Sequence, residues 1–326
     1  MKGINMTNHN HPVSTYPEQN NQLQDDEIDL KELFGAIWSG KVTIIITTVI
    51  AAIIAVMFAL SQPDIYKAEA LLSPVSNDSG GLGGLASQFG GLASLAGVSL
   101  GGGSADKTTM GIEVLQSRQF FAKFMADNDV LIPLMATKDW DSAANNLVID
   151  ADIYNVETNT WVREATAPRQ SQPSVQEAYD EFKQIIAVSQ DKETGFVTLS
   201  IEHYSPYIAK QWVDTLIVAI NETIREQDVA QAERSISYLK QQIQTTQLAE
   251  LQVGFFELIQ SQTETIMLAN ASPEYLFKTL DPAVVPELKA KPKRALIAVL
   301  GTMLGGMLGV LIVLVRHFSR KDDASN

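Results

Sequence analysis

The sequence predicts an α+β domain, a mixed base plus a long helical hairpin, held between two transmembrane helices. Three observations carry this. Two uncharged apolar runs lie towards the two ends of the chain, strand-like alternation flanks a turn between them, and a long stretch there combines helical periodicity with an absence of proline. The chain has 326 residues, a formal net charge of −14 and no cysteine. Such an acidic balance argues against nucleic acid as a partner. The missing cysteines exclude disulfides, thiolate metal sites and cysteine nucleophiles.

The apolar runs are Val42–Leu60 and Ala295–Val315, each long enough to cross a bilayer as a helix at about 1.5 Å per residue. The first begins too late and runs too long for a cleavable signal peptide. Two spans place both termini on one side. Lys31 and Lys41 before the first, with Arg316, Arg320 and Lys321 after the second, favour the cytoplasm for both. The expected order is a cytoplasmic leader (1–41, expected to be disordered), a span (42–60), a large extracytoplasmic domain (61–294), a second span (295–315) and a cytoplasmic tail (316–326). No cofactor or metal-ligand spacing is apparent, and no carboxylate pair stands out as catalytic.

Within 61–294, Ile65–Val75 reads as a strand. Gly111–Asp127 has the period of one helix, with apolar residues at 112, 115, 121, 124 and 125. LVIDADIYN reads as strand, VETNT as a turn and WVR as a return strand. Ser174–Lys183 is a helix begun by a serine cap. Ile185–Ser189 and Phe196–Glu202 flank the turn DKETG as a hairpin. Ser205 and Pro206 form a strong helix start. From there to Ala271 (206–271) no further proline occurs, and the only glycine is Gly254.

A single helix over 206–271 would climb about 99 Å. The 23 residues left before the second span reach about 76–83 Å fully extended. The segment must therefore fold back, with its turn in Gln244–Gly254. Tyr275–Leu280 is then expected as a short strand beside the one near residue 70.

The stretch Gly80–Gly103, GGLGGLASQFGGLASLAGVSLGGG, fits several motifs by letter only. Gly97 and Gly102 have phosphate-loop spacing, but Gly103 stands where lysine is required. Gly97-Val98-Ser99-Leu100-Gly101 matches a nucleophile elbow, yet His203 is the one histidine in 61–294. Leu82, Leu85, Phe89 and Leu92 fall on one helical face. A loosely helical, mobile apolar flap and an unstructured loop both remain open.

Small residues recur every four positions in both spans: Gly301, Gly305 and Gly309 with Gly306 beside them, and Thr43, Thr47, Ala51, Ala55 and Ala59. Such ridges let helices approach closely in lipid. They serve either to pack the two spans of one subunit or to receive a partner. Lys289, Lys291, Lys293 and Arg294 crowd the start of the second span. They either anchor it at the interface or attract diphosphate headgroups.

Several segments together resemble the Wzz family of polysaccharide co-polymerases, the chain-length determinants of surface polysaccharide. They are DDEIDLKELFGAIWSGK, IYKAEALL, LQSRQF, HYSPYIAKQWVD and LDPAVVPELKAKPKRALI. The last carries the motif residues Pro282, Pro286, Pro292, Lys293 and Arg294. Lys291-Pro292-Lys293 stands where the family has Ser-Pro-Lys, and Ala295 where proline is common.

The resemblance implies a two-pass bacterial inner-membrane protein whose bulk is periplasmic, assembled as an octamer-like homo-oligomeric ring. It implies a non-enzymatic regulator of chain length, most readily of lipopolysaccharide O-antigen, acting beside a Wzy-type polymerase on undecaprenyl-diphosphate-linked glycan. A capsule or exopolysaccharide role is the alternative within the family. A two-span sensor and a periplasmic hydrolase are the remote ones. The family's fused tyrosine kinase domain is not expected here.

Overall fold

The computed structural model describes residues 30–75, 104–245 and 248–324. They divide into two compact units, one within Met1–Ala55 and Ala298–Asn326, the other Val56–Ile297.

The larger unit is organised by a four-stranded sheet, ordered β6 (Ile186–Gln190), β7 (Val197–His203), β1 (Tyr66–Pro74), β8 (Phe277–Asp281), antiparallel throughout. The register sets small against large: Ala68 faces Ile201, Ala70 faces Leu199 and Leu72 faces Val197, all buried. Cross-strand pairing of this kind stabilises the sheet and fixes which face enters the core. The β6–β7 hairpin turns through DKETG. Asp191 Oδ1 accepts from the backbone N–H groups of Glu193 and Thr194, and Gly195 takes a positive φ of 74° that a side chain would resist.

The core side of the sheet is closed by α7 (Pro206–Thr245). Its N-terminal half buries Ala209, Trp212, Val213, Leu216, Ile217, Ile220 and Ile224, one continuous helical stripe. A second wedge comes from α4 (Arg118–Asp127) and α6 (Val175–Ile185), where Phe121 and Phe182 rings lie 4.7 Å apart, with Phe124 6.0 Å from Phe182. Ser174 and Glu177 form a reciprocal capping box on α6. Arg163, then the Ser174 N–H, hold the Glu177 carboxyl down to about 2.

Helix α7 ends at Thr245 and α8 (Ala249–Ala271) packs beside it. The turn thus falls inside the expected interval, with Gly254 helical. Tyr275 Oη donates to Asp228 Oδ2 at 2.7 Å, so the chain has returned alongside α7. It then enters β8 beside β1.

Three expectations need correction. The single helix over Gly111–Asp127 is two, α3 (Ser104–Leu115) and α4, because Ser117 leaves helical geometry and its Oγ caps Phe120 N–H at 3.2 Å. The leader is not disordered throughout, since Leu30–Ser39 forms α1. The strand expected over LVIDADIYN is two short ones, β3 (Asn146–Ile149) and β4 (Tyr154–Asn155), and β3 pairs with β2 (Thr137–Asp141), preceded by the short α5 (Leu131–Met135). Tyr154–Asn155 (β4) and Thr160–Trp161 (β5) form a further small hairpin across VETNT.

The smaller unit contains α1, the greater part of α2 (Lys41–Ser61) and of α9 (Arg294–Ala324). Helices α2 and α9 are long and apolar enough to cross a membrane. Their large apolar side chains, Ile45, Ile53, Met303, Leu304 and Leu308 among them, are exposed, as a lipid environment permits. Helix α9 runs nine residues past the apolar segment, to Ala324.

Candidate functional site

Three groups of residues stand out: a clamp where α2 ends and α9 begins, the small-residue ridge, and the helical pair α7–α8.

The clamp is built by a backbone staple and a set of charges. Ile65 N–H donates to Lys291 O at 3.0 Å, and Ile65 O accepts from Ala290 N–H at 2.8 Å. Arg294 opens α9, where a cation is unfavourable, but its guanidinium turns to the end of α2. Nε donates to Ala59 O at 3.1 Å and Nη2 to Gln62 O at 3.3 Å. It therefore satisfies carbonyls that the helix leaves open, at the end where the dipole favours positive charge. Asp64 completes the arrangement, 2.9 Å from Arg294 and 3.2 Å from Lys289. Lys291 pairs with Glu202 at the end of β7.

Of the motif residues, Pro282 follows β8 directly and is exposed. Pro286 and Pro292 are half-buried, Lys291–Pro292 is cis, and Lys293 is exposed. Three of the four basic residues are thus engaged with carboxylates. Lys293 is exposed, and the other three are held by Asp64 and Glu202.

In the smaller unit, Gly301 lies against Ala55, Gly305 against Ala51, and Gly309 against Thr47 and Ile44. A Cβ at any of the three would collide with the facing helix. Gly306 is set to one side, its nearest neighbour being Thr48 Oγ1 at 3.5 Å from an ideal Cβ. The ridge is therefore occupied by the chain's own first span.

The helical pair presents Leu251, Val253, Phe256, Leu258 and Met267 of α8 to the exterior, together with Tyr238 of α7. At 100° per residue, Leu251 and Leu258 share one side of α8 while Val253, Phe256 and Met267 share the opposite side, so large apolar side chains are exposed on two flanks of the helix.

His203 is buried. Its Nδ1 accepts Ser205 N–H at 3.0 Å, leaving Nε2 to donate to Pro133 O at 3.1 Å, and the Trp212 ring stacks edge-on at 5.1 Å. Burial lowers its pKa to about 4. A neutral ring with both nitrogens committed is a structural strut. Ser99 and the rest of the Gly80–Gly103 stretch lie outside the described residues. Among the described residues no cluster of three metal-ligating side chains occurs.

Two family models match this chain. The Wzz model, chain length determinant protein, matches residues 26–128. The GNVR model, a G-rich domain described on tyrosine kinases, matches residues 239–318. The chain thus carries a Wzz chain length determinant domain towards its N-terminal end and a GNVR domain towards its C-terminal end. No curated protein matches it in a direct comparison.

Solved structures similar to this chain include a full-length bacterial polysaccharide co-polymerase (16% identity, TM-score 0.38, covering 90% of this chain and 99% of that one). Another is a fragment of WzzB, the polysaccharide co-polymerase from Salmonella Typhimurium (9% identity, TM-score 0.29, covering 70% and 100%).

Sequence reasoning missed two members of the arrangement. Asp64 and Glu202 are ordinary acidic residues by sequence, and only the fold brings them to the basic cluster. Asn221 carried a signal: a polar residue inside the apolar stripe Ile217, Ile220, Ile224. Its Oδ1 accepts from Leu276 N–H (2.7 Å) and Phe277 N–H (2.9 Å), and its Nδ2 donates to Phe277 O (3.1 Å), which ties the start of β8 to α7.

Proposed function

We propose that this protein is a non-enzymatic co-polymerase that sets the chain length of lipopolysaccharide O-antigen. It would act as a closed homo-oligomeric ring in the bacterial inner membrane, with the bulk of the chain in the periplasm. Its partners would be a Wzy-type polymerase and the undecaprenyl-diphosphate-linked glycan.

The observation that carries this reading is the α7–α8 pair, whose α8 exposes large apolar side chains on two opposite flanks, in a unit bounded at each end by a candidate span. A helix apolar on both flanks can meet one copy of the chain on each side, as a closed ring requires. The ring then biases how long the polymerase retains a growing glycan, and the polymerase keeps the bond-making chemistry. The second, kinase-associated family match supports a capsule or exopolysaccharide role as the other reading.

Mass photometry of the detergent-solubilised chain tests the assembly. A single large closed species is expected, and it should dissociate in a Leu251→Glu/Phe256→Glu double variant whose strain also shows a broadened glycan length. A monodisperse monomer at micromolar concentration contradicts the ring.

A further inference from the structure

A cleft of about 520 Å³ opens beside the end of α2. This is within the roughly 300–1,000 Å³ typical of small-ligand sites. Its floor is Leu60, Ser61 and Gln62, the last turn of the first candidate span and the residue after it, with Asp64 and Arg294 of the clamp at one side. The far wall comes from the β2–β3 hairpin and the end of β7: Lys138, Asp139, Trp140, Ser142 and Tyr204. Tyr66 of β1 joins them.

The lining is aromatic and polar at once, and its charges cancel. Two cations, Lys138 and Arg294, stand with two carboxylates, Asp64 and Asp139. A lipid tail would need apolar walls, and a free phosphate would need net positive ones. A molecule with apolar C–H faces and donors and acceptors around its rim fits both halves of the lining, and that is the chemistry of a pyranose.

The groups are also held in place before any ligand arrives. Asp64 is fixed by Arg294 and Lys289. Asp139 Oδ1 accepts the backbone N–H of Trp140 at 2.8 Å. The indole N–H is taken by Asn145 Oδ1 at 3.1 Å, and the Tyr66 ring meets the indole edge-on at 5.6 Å, so the Trp140 plane is set. Burial first, then the charges of Asp139 and Glu181, keep the Tyr204 hydroxyl protonated and able to donate. Preorganised groups of this kind lower the ordering cost of binding a flexible, hydrated ligand.

We infer that this cleft is a binding site for one or two neutral sugar residues, with Trp140 and Tyr66 as the apolar surface and Asp139 and Tyr204 as the hydroxyl partners. Because its floor is the end of a candidate span, the sugars it meets are those nearest a lipid carrier. The source of the sugar rests on the chain-length reading; the binding chemistry does not.

Saturation-transfer difference NMR on the full chain in lipid nanodiscs tests it. The probes are oligosaccharides of one to three repeats, released by mild acid from the producing strain's surface glycan, with inorganic pyrophosphate as the charged comparison. Ring C–H protons should saturate, and Asp139→Asn and Tyr204→Phe should each weaken the affinity about tenfold with unchanged melting. Trp140→Ala should abolish it.

Unchanged affinity in both Asp139→Asn and Tyr204→Phe overturns the proposal, as does displacement of the sugar by pyrophosphate. Length control lost on deletion, with sugar affinity indifferent to these variants, defeats the cleft alone. Sugar bound in the cleft by a protein whose deletion leaves glycan length unchanged defeats the chain-length reading alone.

Discussion

Arg294 holds Asp64 at 2.9 Å, and so joins the last residue before the second apolar run to the chain just beyond the first. Both side chains are about one-third exposed, and Arg294 also donates to Ala59 O from Nε and to Gln62 O from Nη2. The pair acts as a knot between two helix ends. Arg294→Ala should therefore lower stability by about 1–2 kcal/mol, more than an isolated surface pair would. Arg294→Lys should recover part of this, since a single ammonium cannot reach acceptors that the guanidinium fork serves from two separate nitrogens. Thermal unfolding in nanodiscs checks it, with Asp64→Asn as the second arm of a double-mutant cycle. Purely additive effects would show that the two residues are not coupled.

Gly305 against Ala51 leaves no room for a side chain. Gly305→Leu should separate the spans while the strand-and-helix unit melts as before, and the strain should express normally with altered glycan length. The cysteine-free chain offers a direct readout. A Thr48→Cys/Gly306→Cys pair should form a disulfide under mild oxidation, and Gly305→Leu should suppress it. Equal cross-linking in both backgrounds would contradict the ridge as the contact between spans.

Asn221 serves the buried backbone at Leu276 and Phe277 from inside the core. Asn221→Leu should cost about 2–4 kcal/mol, because two N–H groups and a carbonyl lose their buried partner. Hydrogen exchange should localise the loosening to 276–281. A uniform increase in exchange across the sheet would argue against a local tie.

His203 gives the unit a pH dependence of definite sign. Its folded-state pKa is about 4, against 6.5 unfolded, so between these values the unfolded chain binds the extra proton. The contribution is complete above pH 6.5 and is lost as the pH falls towards 4, amounting to about 3 kcal/mol at most. Melting temperature should fall over that window, and His203→Gln should flatten the fall. A wild-type curve flat from pH 7 to 4.5 would be inconsistent with the buried neutral ring.

Much of this was legible in the sequence where one local rule dominated. Alternation gave β1 and the β6–β7 hairpin, serine caps gave the starts of α6 and α7, and simple reach required the α7–α8 turn. The break at Ser117 was hidden because the apolar period continues across it, although the serine itself was a cap signal. β2 was unreadable, since TKDWD buries only Thr137 and so lacks a clear core face. The glycine ridge and the matching small residues of the first span were both visible, and packing of the two spans was one of the two uses open; the contacts of Gly301, Gly305 and Gly309 with Ala55, Ala51 and Thr47 select it. Asp64 and the cleft beside it depend on contacts between distant parts of the sequence, which no local pattern encodes.

The central claim, that the protein sets polysaccharide length without making the glycosidic bond, is tested most directly by the size distribution of surface glycan on a gel, with and without the gene. Deletion should leave polymer synthesis intact and replace a preferred length by a distribution falling smoothly from short chains, and the intact gene in trans should restore the preferred length. Complete loss of polymer, or an unchanged distribution in every surface glycan of the strain, would contradict it.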